Sequence, residues 1–281
     1  RATGPGAQLQ EVIKTVSDEA FLPGSSLKGA IRTALAWRGW QEKNAQPDSR
    51  NLGRNRKFAG QQLERDIMGG DPNHDLLRAL HVGDSSPAGK NRFIVLNAQV
   101  ITRGSLGSPI ELEAIQPDTP FKLTIKVDDQ LFGQWAKEHR LRLGGNQSWL
   151  QNLAGTIQQH TAQRLQAELN WYANRPGAEQ TAGFYRQLLA AKLPANACLL
   201  QIGWGTGWEG KTFGSHLQAN ARFMEQIIND FRLAKGRRER GDPFPKSRRV
   251  TVSVVKDKQG RTQQRPAVPL GWALMEMKER K

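Results

Sequence analysis

The chain is poor in cysteine and in long apolar runs. Cys198 is the only cysteine among 281 residues, which excludes an internal disulfide framework and a multi-cysteine zinc site. No apolar stretch approaches the roughly 20 residues that span a bilayer, and no signal peptide opens the sequence. We therefore expect a protein of the reducing cytoplasm that needs no membrane, metal or cofactor.

Acidic residues are also scarce relative to basic ones. The sequence has 41 Lys and Arg against 26 Asp and Glu, a formal charge of +15, with 37% hydrophobic residues as in a globular protein. The excess is concentrated, because residues 232–281 hold 15 basic and 5 acidic side chains. A field this positive favours a polyanionic partner, either a nucleic acid or an acidic membrane surface.

The hydrophobic pattern mixes helical and strand periods. Apolar residues at helical spacing predict five helices, at about 27–40, 58–68, 150–169, 184–193 and 217–231. Alternating or short apolar runs predict an extended segment at 8–22 and strands at 93–96, 110–115, 121–127, 198–202, 250–255 and 270–275. This mixture predicts the α+β class.

The first segment with a chemical signal is Pro23-Gly24-Ser25-Ser26-Leu27-Lys28-Gly29-Ala30-Ile31-Arg32-Thr33. Ser25 and Ser26 are residue types that cap helices, and a helix start offers backbone N–H groups to an anion. Lys28 and Arg32 stand one helical turn apart. The segment is equally consistent with a capped helix that carries solvated cations.

The second segment is a glycine-rich loop. Gly205-Thr206-Gly207-Trp208-Glu209-Gly210-Lys211-Thr212 matches the phosphate-binding pattern G-x-x-x-x-G-K-T between a strand and a helix. Only 69 residues remain after Thr212, too few for the parallel sheet that follows such a loop in nucleotide hydrolases. We expect the glycine N–H groups, Thr206, Lys211 and Thr212 to face RNA phosphates instead. Trp204 and Trp208 either stack on bases or pack in the core.

These segments resemble a known family. The Pro23–Thr33 string resembles the PGSS-[LI]-KGA-[IL]-R signature of the RAMP superfamily. Four further stretches follow the same family's order, at 80–85, 113–121, 202–207 and 244–249 with 269–272. The sequence is most similar to the member that caps the 3′ end of the guide RNA in type III-A (Csm) CRISPR complexes.

The resemblance implies a RAMP fold of ferredoxin-like (RRM-like) units with a helical insertion at 146–193. It divides the chain into a first half, 1–145, and a second half, 146–281, that carries the glycine-rich loop and the basic strands. The family's opening strand and first glycines are absent, and the chain starts at Arg1 rather than Met. We therefore expect further residues before Arg1.

The function that the resemblance implies is a non-catalytic subunit in prokaryotic antiviral defence. It grips the 3′ region of the CRISPR guide RNA and ends a filament of backbone subunits, with neighbouring RAMP subunits and small helical subunits as partners. The RNA-binding residues expected on this basis are Ser25, Ser26, Lys28, Arg32, Gly203, Gly205, Thr206, Gly207, Lys211, Thr212, Lys246, Arg248 and Arg249.

Two alternatives remain open. One is a different RAMP subunit, such as a backbone protein or its counterpart in a Cmr-type complex. The other is an endoribonuclease that processes guide RNA through a histidine, for which His216 is the nearest candidate because it follows the glycine-rich loop. Asp84 is the nearest candidate for a catalytic aspartate. We predict no catalytic residue.

Overall fold

The structure is a computed structural model of the chain. It describes residues 8–102, 105–211, 213–234, 238–239, 241–256 and 259–278. The α-helices of this part are α1 Gly24–Glu42, α2 Gln61–Met68, α3 Gln134–Glu138, α4 Ser148–Gln151, α5 Leu153–Ala173, α6 Glu179–Ala190, α7 Gly214–Gln218 and α8 Ala221–Asp230.

The strands of the described residues form three antiparallel sheets. They are β1 Leu80–Val82, β2 Phe93–Ile101, β3 Ile110–Ile115, β4 Ile125–Val127, β5 Ala197–Gln201, β6 Arg248–Lys256, β7 Thr262–Pro266 and β8 Trp272–Glu276. The largest sheet has the order β3-β2-β6-β7, and the pairs β1-β4 and β5-β8 form the other two. Ala98 of β2 lies opposite Ile110 on one side and Thr251 on the other, so both halves of the chain contribute to one sheet.

Helix α1 forms because its apolar residues recur at helical spacing. Leu27, Ile31, Ala34 and Leu35 are all buried on one side of the helix, as expected for an amphipathic helix packed on a core. Burying each leucine or isoleucine side chain is worth about 1.5–3 kcal/mol. The same helix also buries Trp37, whose indole Nε1 donates to Ser215 Oγ at 3.0 Å. This contact ties α1 to the segment that follows the glycine-rich loop.

Helix α5 belongs to two hydrophobic clusters. Near its start, Leu153 and Ile157 pack with α1, α2 and α8 in the larger cluster. Further along, Leu165 and Tyr172 pack with α6 and the β2-β6 sheet in the smaller one. Because one continuous helix contributes to both clusters, the orientation of α5 about its axis and its position along that axis fix the two clusters relative to each other.

Polar side chains of α5 cover the edge of β5 that is not paired with β8. Gln158 Nε2 donates to the Ala197 carbonyl, and Thr161 Oγ1 donates to the Leu199 carbonyl at 2.6 Å. One turn further on, Arg164 donates to the side chain of Gln201. An unpaired strand edge exposes backbone groups that must find partners, and this stripe supplies them.

The expected class and the expected helical insertion are both confirmed. The chain is α+β, and helices α4, α5 and α6 occupy the segment predicted to be an inserted helical region. The predicted boundary at residue 145 stays a prediction. Strands β2 and β6 lie on opposite sides of it, yet they pair with each other.

Some predicted strands differ from the observed ones. The strand predicted at 121–127 is limited to Ile125–Val127, and the extended segment 8–22 makes only isolated bridges such as Gln10 with Leu112. Strand β7, Thr262–Pro266, was not predicted because its sequence Thr-Gln-Gln-Arg-Pro is polar and mostly exposed. Hydrogen bonding to β6, rather than burial of its side chains, holds β7 in place.

Among the described residues, we find no helix whose length and apolar character would let it cross a membrane.

The packing of α1 gives a matched pair of stability predictions. A Cβ at Gly39 would collide with the side chains of Ile67 and Trp149, whereas a Cβ at Gly29 meets nothing within 4 Å. We expect Gly39→Ala to lower the free energy of unfolding by about 1–3 kcal/mol through overpacking. Gly29→Ala should instead raise it by roughly 0.5–1 kcal/mol, as alanine does in an open helix position.

Urea denaturation of the two variants beside the wild type measures both changes. Equal effects at the two positions would contradict this account of the α1–α2–α4 contact.

Candidate functional site

The start of α1 is capped by a residue distant in sequence. The Gly24 N–H donates to Asp84 Oδ1 at 2.7 Å, and Leu22 and Ser85 exchange two further hydrogen bonds beside it. Gly24 is required because a Cβ there would collide with the backbone of Val82 and Gly83. The expectation that Ser25 or Ser26 caps the helix is therefore wrong. The helix begins after Pro23 with no side-chain cap from its own segment.

Three residues at the start of α1 that were expected to contact RNA face outward. Ser25 and Ser26 are exposed, and Lys28 is partly exposed. Within the described residues, Lys28 makes no ion pair. Partial burial lowers the pKa of Lys28, with Arg32 acting in the same direction and Asp75 against it. A cation whose charge is incompletely balanced by the protein is suited to an anionic ligand.

Arg32 is placed differently from Lys28. Its guanidinium forms a two-bond contact with Asp75, at 3.0 and 2.6 Å, and its Nε donates to Glu64. These carboxylates help to keep the pKa of Arg32 raised, although burial opposes them. The arrangement joins α1 to α2 and to the turn before β1. Its charge is therefore already balanced by protein carboxylates.

The glycine-rich loop depends on backbone angles that only glycine adopts readily. Gly203 has φ 84° and ψ −161°, and Gly207 has φ 67° and ψ −166°. At both positions nothing lies within 4 Å of where a Cβ would be, so the loop presents open backbone at these residues. Gly205 has a different reason, because a Cβ there would come within 2.9 Å of Leu270 Cβ.

The polar residues of this loop divide into inward and outward groups. Thr206 is buried and its hydroxyl donates to the Gly203 carbonyl at 3.1 Å, so it braces the loop from within. Lys211 is exposed and makes no ion pair within the described residues. Thr212 lies outside the described residues.

The start of β6 lies against the glycine-rich loop. The guanidinium of Arg249 sits 4.4 Å from the centroid of the Trp204 ring, and the Trp204 side chain is 37% exposed. Arg248 turns inward, where its Nε donates to both carboxylate oxygens of Glu168 at 2.8 Å. Lys246 forms an ion pair with Asp242 at 2.7 Å.

The expected residues therefore form two patches. The α1 patch consists of Ser25, Ser26 and Lys28, and the loop patch consists of Gly203, Gly207, Lys211, Trp204 and Arg249. Helix α1 links them, because Trp37 stands about 13 Å along the helix from Lys28 and contacts Ser215 beyond the loop. The glycine-rich loop lies beside the start of the basic strand β6.

Arg164 is the site residue that sequence reasoning missed. From α5, its Nη2 donates to the Thr206 carbonyl at 2.9 Å and to Gln201, which fixes the loop from below. The sequence holds one signal for it. Gln158, Thr161 and Arg164 recur every three residues along this helix.

Two histidines near the loop have structural surroundings. His216 stacks on Trp37 with ring centroids 5.0 Å apart, and its Nε2 donates to the Trp37 carbonyl at 2.9 Å. Burial lowers the pKa of His216. Burial also lowers the pKa of His160 to about 3. Neither ring is placed as an exposed acid or base.

The loop also lacks the setting of a nucleotide-hydrolysing phosphate loop. Strand β5, which precedes it, pairs antiparallel with β8, whereas such loops follow a strand of a parallel sheet. Trp208 packs edge-on against Phe244 at 5.2 Å and fills the space beside Gly214. The two tryptophans of the loop therefore differ, one packed inward and one, Trp204, at the surface.

The architecture and the loop define the class of protein. A superfamily model described as RAMPs, RAMP superfamily, matches residues 2–209. The chain belongs to the RAMP superfamily.

Two curated proteins are similar to this chain. The chain is 28% identical over 205 residues to the CRISPR system Cms protein Csm5 of Methanocaldococcus jannaschii. This alignment covers 68% of this chain and 46% of that protein. The chain is 32% identical over 131 residues to the Csm5 protein of Streptococcus thermophilus. This second alignment covers 43% of this chain and 36% of that protein. In both cases the chain spans less than half of the relative's length.

Solved structures share the fold. A chain of the cryo-EM structure of a Csm–crRNA–target RNA ternary complex from a type III-A CRISPR-Cas system matches with a TM-score of 0.71 and 24% identity, covering 97% of this chain and 76% of that one. The crystal structure of T. onnurineus Csm5 matches with a TM-score of 0.57 and 21% identity, covering 95% of this chain and 73% of that one.

The buried His160 predicts a pH dependence of stability. Its pKa is about 3 in the folded protein against 6.5 for an ordinary histidine. Below pH 6.5 the unfolded chain therefore binds a proton that the folded chain does not. The free energy of unfolding consequently decreases as the pH is lowered. From pH 7 to pH 5 we expect His160 to contribute a loss of roughly 2 kcal/mol.

His160→Gln removes the titrating group, so its free energy of unfolding should change less over this range. Urea denaturation at pH 7 and pH 5 measures the difference. A His139→Gln control, at an exposed histidine, should keep the wild-type slope. If His160→Gln also kept it, the predicted neutral state of His160 would be wrong.

Proposed function

We propose that this chain is a non-catalytic guide-RNA-binding subunit of a type III-A CRISPR effector complex in the prokaryotic cytoplasm. In this proposal it grips the 3′ region of the guide and ends a filament of RAMP backbone subunits, beside small helical subunits. Membership of the RAMP superfamily and the likeness to Csm5 proteins support the assignment. So does the fold that the chain shares with a component of a Csm–crRNA complex.

The observation that carries the proposal is the composition of the loop patch. Open glycine backbone at Gly203 and Gly207 lies beside an exposed cation, Lys211, and an aromatic ring, Trp204, that is covered on one side by Arg249. Proteins that bind single-stranded nucleic acid combine these elements: cations for phosphates, and aromatic faces for bases. Lys28 and the exposed serines of the α1 patch extend the same chemistry.

Two predicted contact residues receive a different role in the proposal. Arg32 and Arg248 are each held by carboxylates, Asp75 and Glu64 for the first and Glu168 for the second. Transferring either guanidinium to RNA would leave these carboxylates without their partner. We therefore assign phosphate neutralisation to Lys28, Lys211 and Arg249, and a positioning role to Arg32 and Arg248.

The first test is a salt series of RNA binding. Each cation that neutralises a phosphate of a single strand contributes about 0.7 to the slope of log affinity against log salt. Lys28→Ala/Lys211→Ala should therefore lower that slope by about 1.4. Filter binding of a labelled guide RNA from low to moderate salt measures it.

The matched control is Lys137→Ala/Lys192→Ala, which removes two exposed lysines outside both patches. It should keep the wild-type slope. An unchanged slope in the Lys28/Lys211 variant would remove the two patches from the RNA surface. Discrete cleavage of the RNA by the wild type would replace the proposal with a processing nuclease.

A second test uses the special backbone angles of the loop. Gly207→Ala forces a residue with a Cβ into a positive φ, at a cost of about 1–3 kcal/mol in that conformation. Relaxation of the loop should move its backbone and weaken RNA binding. Gly177→Ala places the same kind of strain at φ 80° in the turn between α5 and α6, away from the loop.

Both variants should lose stability to a similar extent in urea denaturation, but only Gly207→Ala should lose RNA affinity. If the two variants bound RNA equally, the loop would not contribute to the RNA surface.

A further inference from the structure

A cavity of about 170 Å³ lies beneath the glycine-rich loop. Its walls come from the loop itself, from helices α5 and α6, from strand β5, from the start of β6 with the residues before it, and from Val100 and Pro269. The charged side chains among the described residues that line it are Arg164, Arg248, Arg249, Glu168 and Glu209. Ser247 and Tyr172 add hydroxyl groups. The cavity is several times the roughly 30 Å³ that one water molecule occupies in the liquid, and so accommodates a small polyatomic group.

Arg164 supplies a donor there that the protein does not satisfy. The residue is only 7% exposed. Its Nη2 donates hydrogen bonds to the Thr206 carbonyl and to Gln201 Oε1. Its Nε is buried and has no hydrogen-bond partner in the part of the chain that the structure describes. A buried donor on a charged group that has lost its hydrogen bonds to water destabilises the fold unless it finds an acceptor. An acceptor in the cavity would remove that destabilisation.

The charges around the cavity leave an excess of positive charge. Three arginines face two carboxylates, and both oxygens of Glu168 are already held by Arg248 Nε. Burial raises the pKa of Glu209, which favours its neutral form, and Glu209 Oε1 accepts a hydrogen bond from Gln218. Burial likewise lowers the pKa of Arg164. The charges around the cavity therefore favour an anionic ligand over a cationic one.

We propose that this cavity binds a phosphate group, held by the guanidinium groups of Arg164 and Arg249. Arginine matches phosphate oxygens in geometry and charge better than other side chains do. Arg249 and Trp204 connect the cavity to the exposed loop patch, so a phosphate seated here is continuous with the proposed RNA surface. The inference thus rests on the proposed function and adds a defined subsite to it. The phosphate comes either from an internal linkage of the strand or from a terminal phosphomonoester.

The test separates the cavity from the RNA surface. Val100→Phe fills the cavity from β2 without removing a charge, and Arg164→Met removes the unsatisfied donor. Arg175→Met is the charge control, because Arg175 lies over the Trp171 ring and does not line the cavity. Thermal unfolding is measured in inorganic phosphate and in sodium chloride at equal ionic strength. Affinity is measured for one RNA sequence with a 3′-hydroxyl, a 3′-phosphate or a 5′-phosphate.

We expect phosphate to raise the melting temperature of the wild type and of Arg175→Met beyond the chloride control, and to have no such effect on Val100→Phe or Arg164→Met. RNA affinity should fall in Val100→Phe by roughly tenfold or more, the value of one charge-assisted hydrogen bond. A preference for one terminal phosphate that Val100→Phe abolishes identifies a phosphomonoester. Equal losses for all three RNAs identify an internal linkage.

Absence of a phosphate-specific shift in the wild type, or its persistence in Val100→Phe, would overturn the cavity site. Salt-dependent RNA binding unaffected by Val100→Phe would do the same while leaving the proposed function in place. Conversely, phosphate binding without RNA binding would remove the proposed function and, with it, the RNA role of the cavity.

Discussion

The rest of the structure depends on one row of polar side chains on α5, which consists of Gln158, Thr161 and Arg164 and which we call the polar stripe. Gln158 and Thr161 satisfy the carbonyls along the open edge of β5, and Arg164 continues the stripe to the glycine-rich loop. The same helix packs into both hydrophobic clusters. The position of the loop is therefore coupled to the core rather than left to the loop's own sequence. A glycine-rich segment has little intrinsic stiffness, so this external support explains how it holds one shape.

The arginines and lysines in and beside the two patches separate into an internal set, paired with carboxylates, and an external set. Arg32 and Arg248 join elements of the fold through carboxylates, which suits a guanidinium that donates several bonds in a fixed plane. Lys28 and Lys211 have no such partners among the described residues, and Arg249 lies on an aromatic face. A net charge of +15 is thus not one uniform surface property. Some of the 41 basic side chains are paired with carboxylates of the protein, and others remain available to a polyanion.

Much of the fold could be predicted from the hydrophobic pattern, because α1, α5 and β5 bury the apolar residues on which their prediction depended. The polar strand β7 could not, since hydrogen bonding to β6 rather than burial holds it. The pairing of Arg32 with Asp75 and the cap that Asp84 gives Gly24 also escaped prediction. Both join residues more than 40 positions apart, and a local pattern holds no information about such partners. The glycine-rich loop was located because it needs rare backbone angles.

The most direct test of the central claim is photo-crosslinking of a guide RNA that carries 4-thiouridine, with crosslinked peptides mapped by mass spectrometry. The account predicts crosslinks within the loop patch, at or beside Trp204 and Lys211, and within the α1 patch near Lys28. Crosslinks confined to surfaces outside both patches, such as α3 or the exposed face of α6, would contradict it.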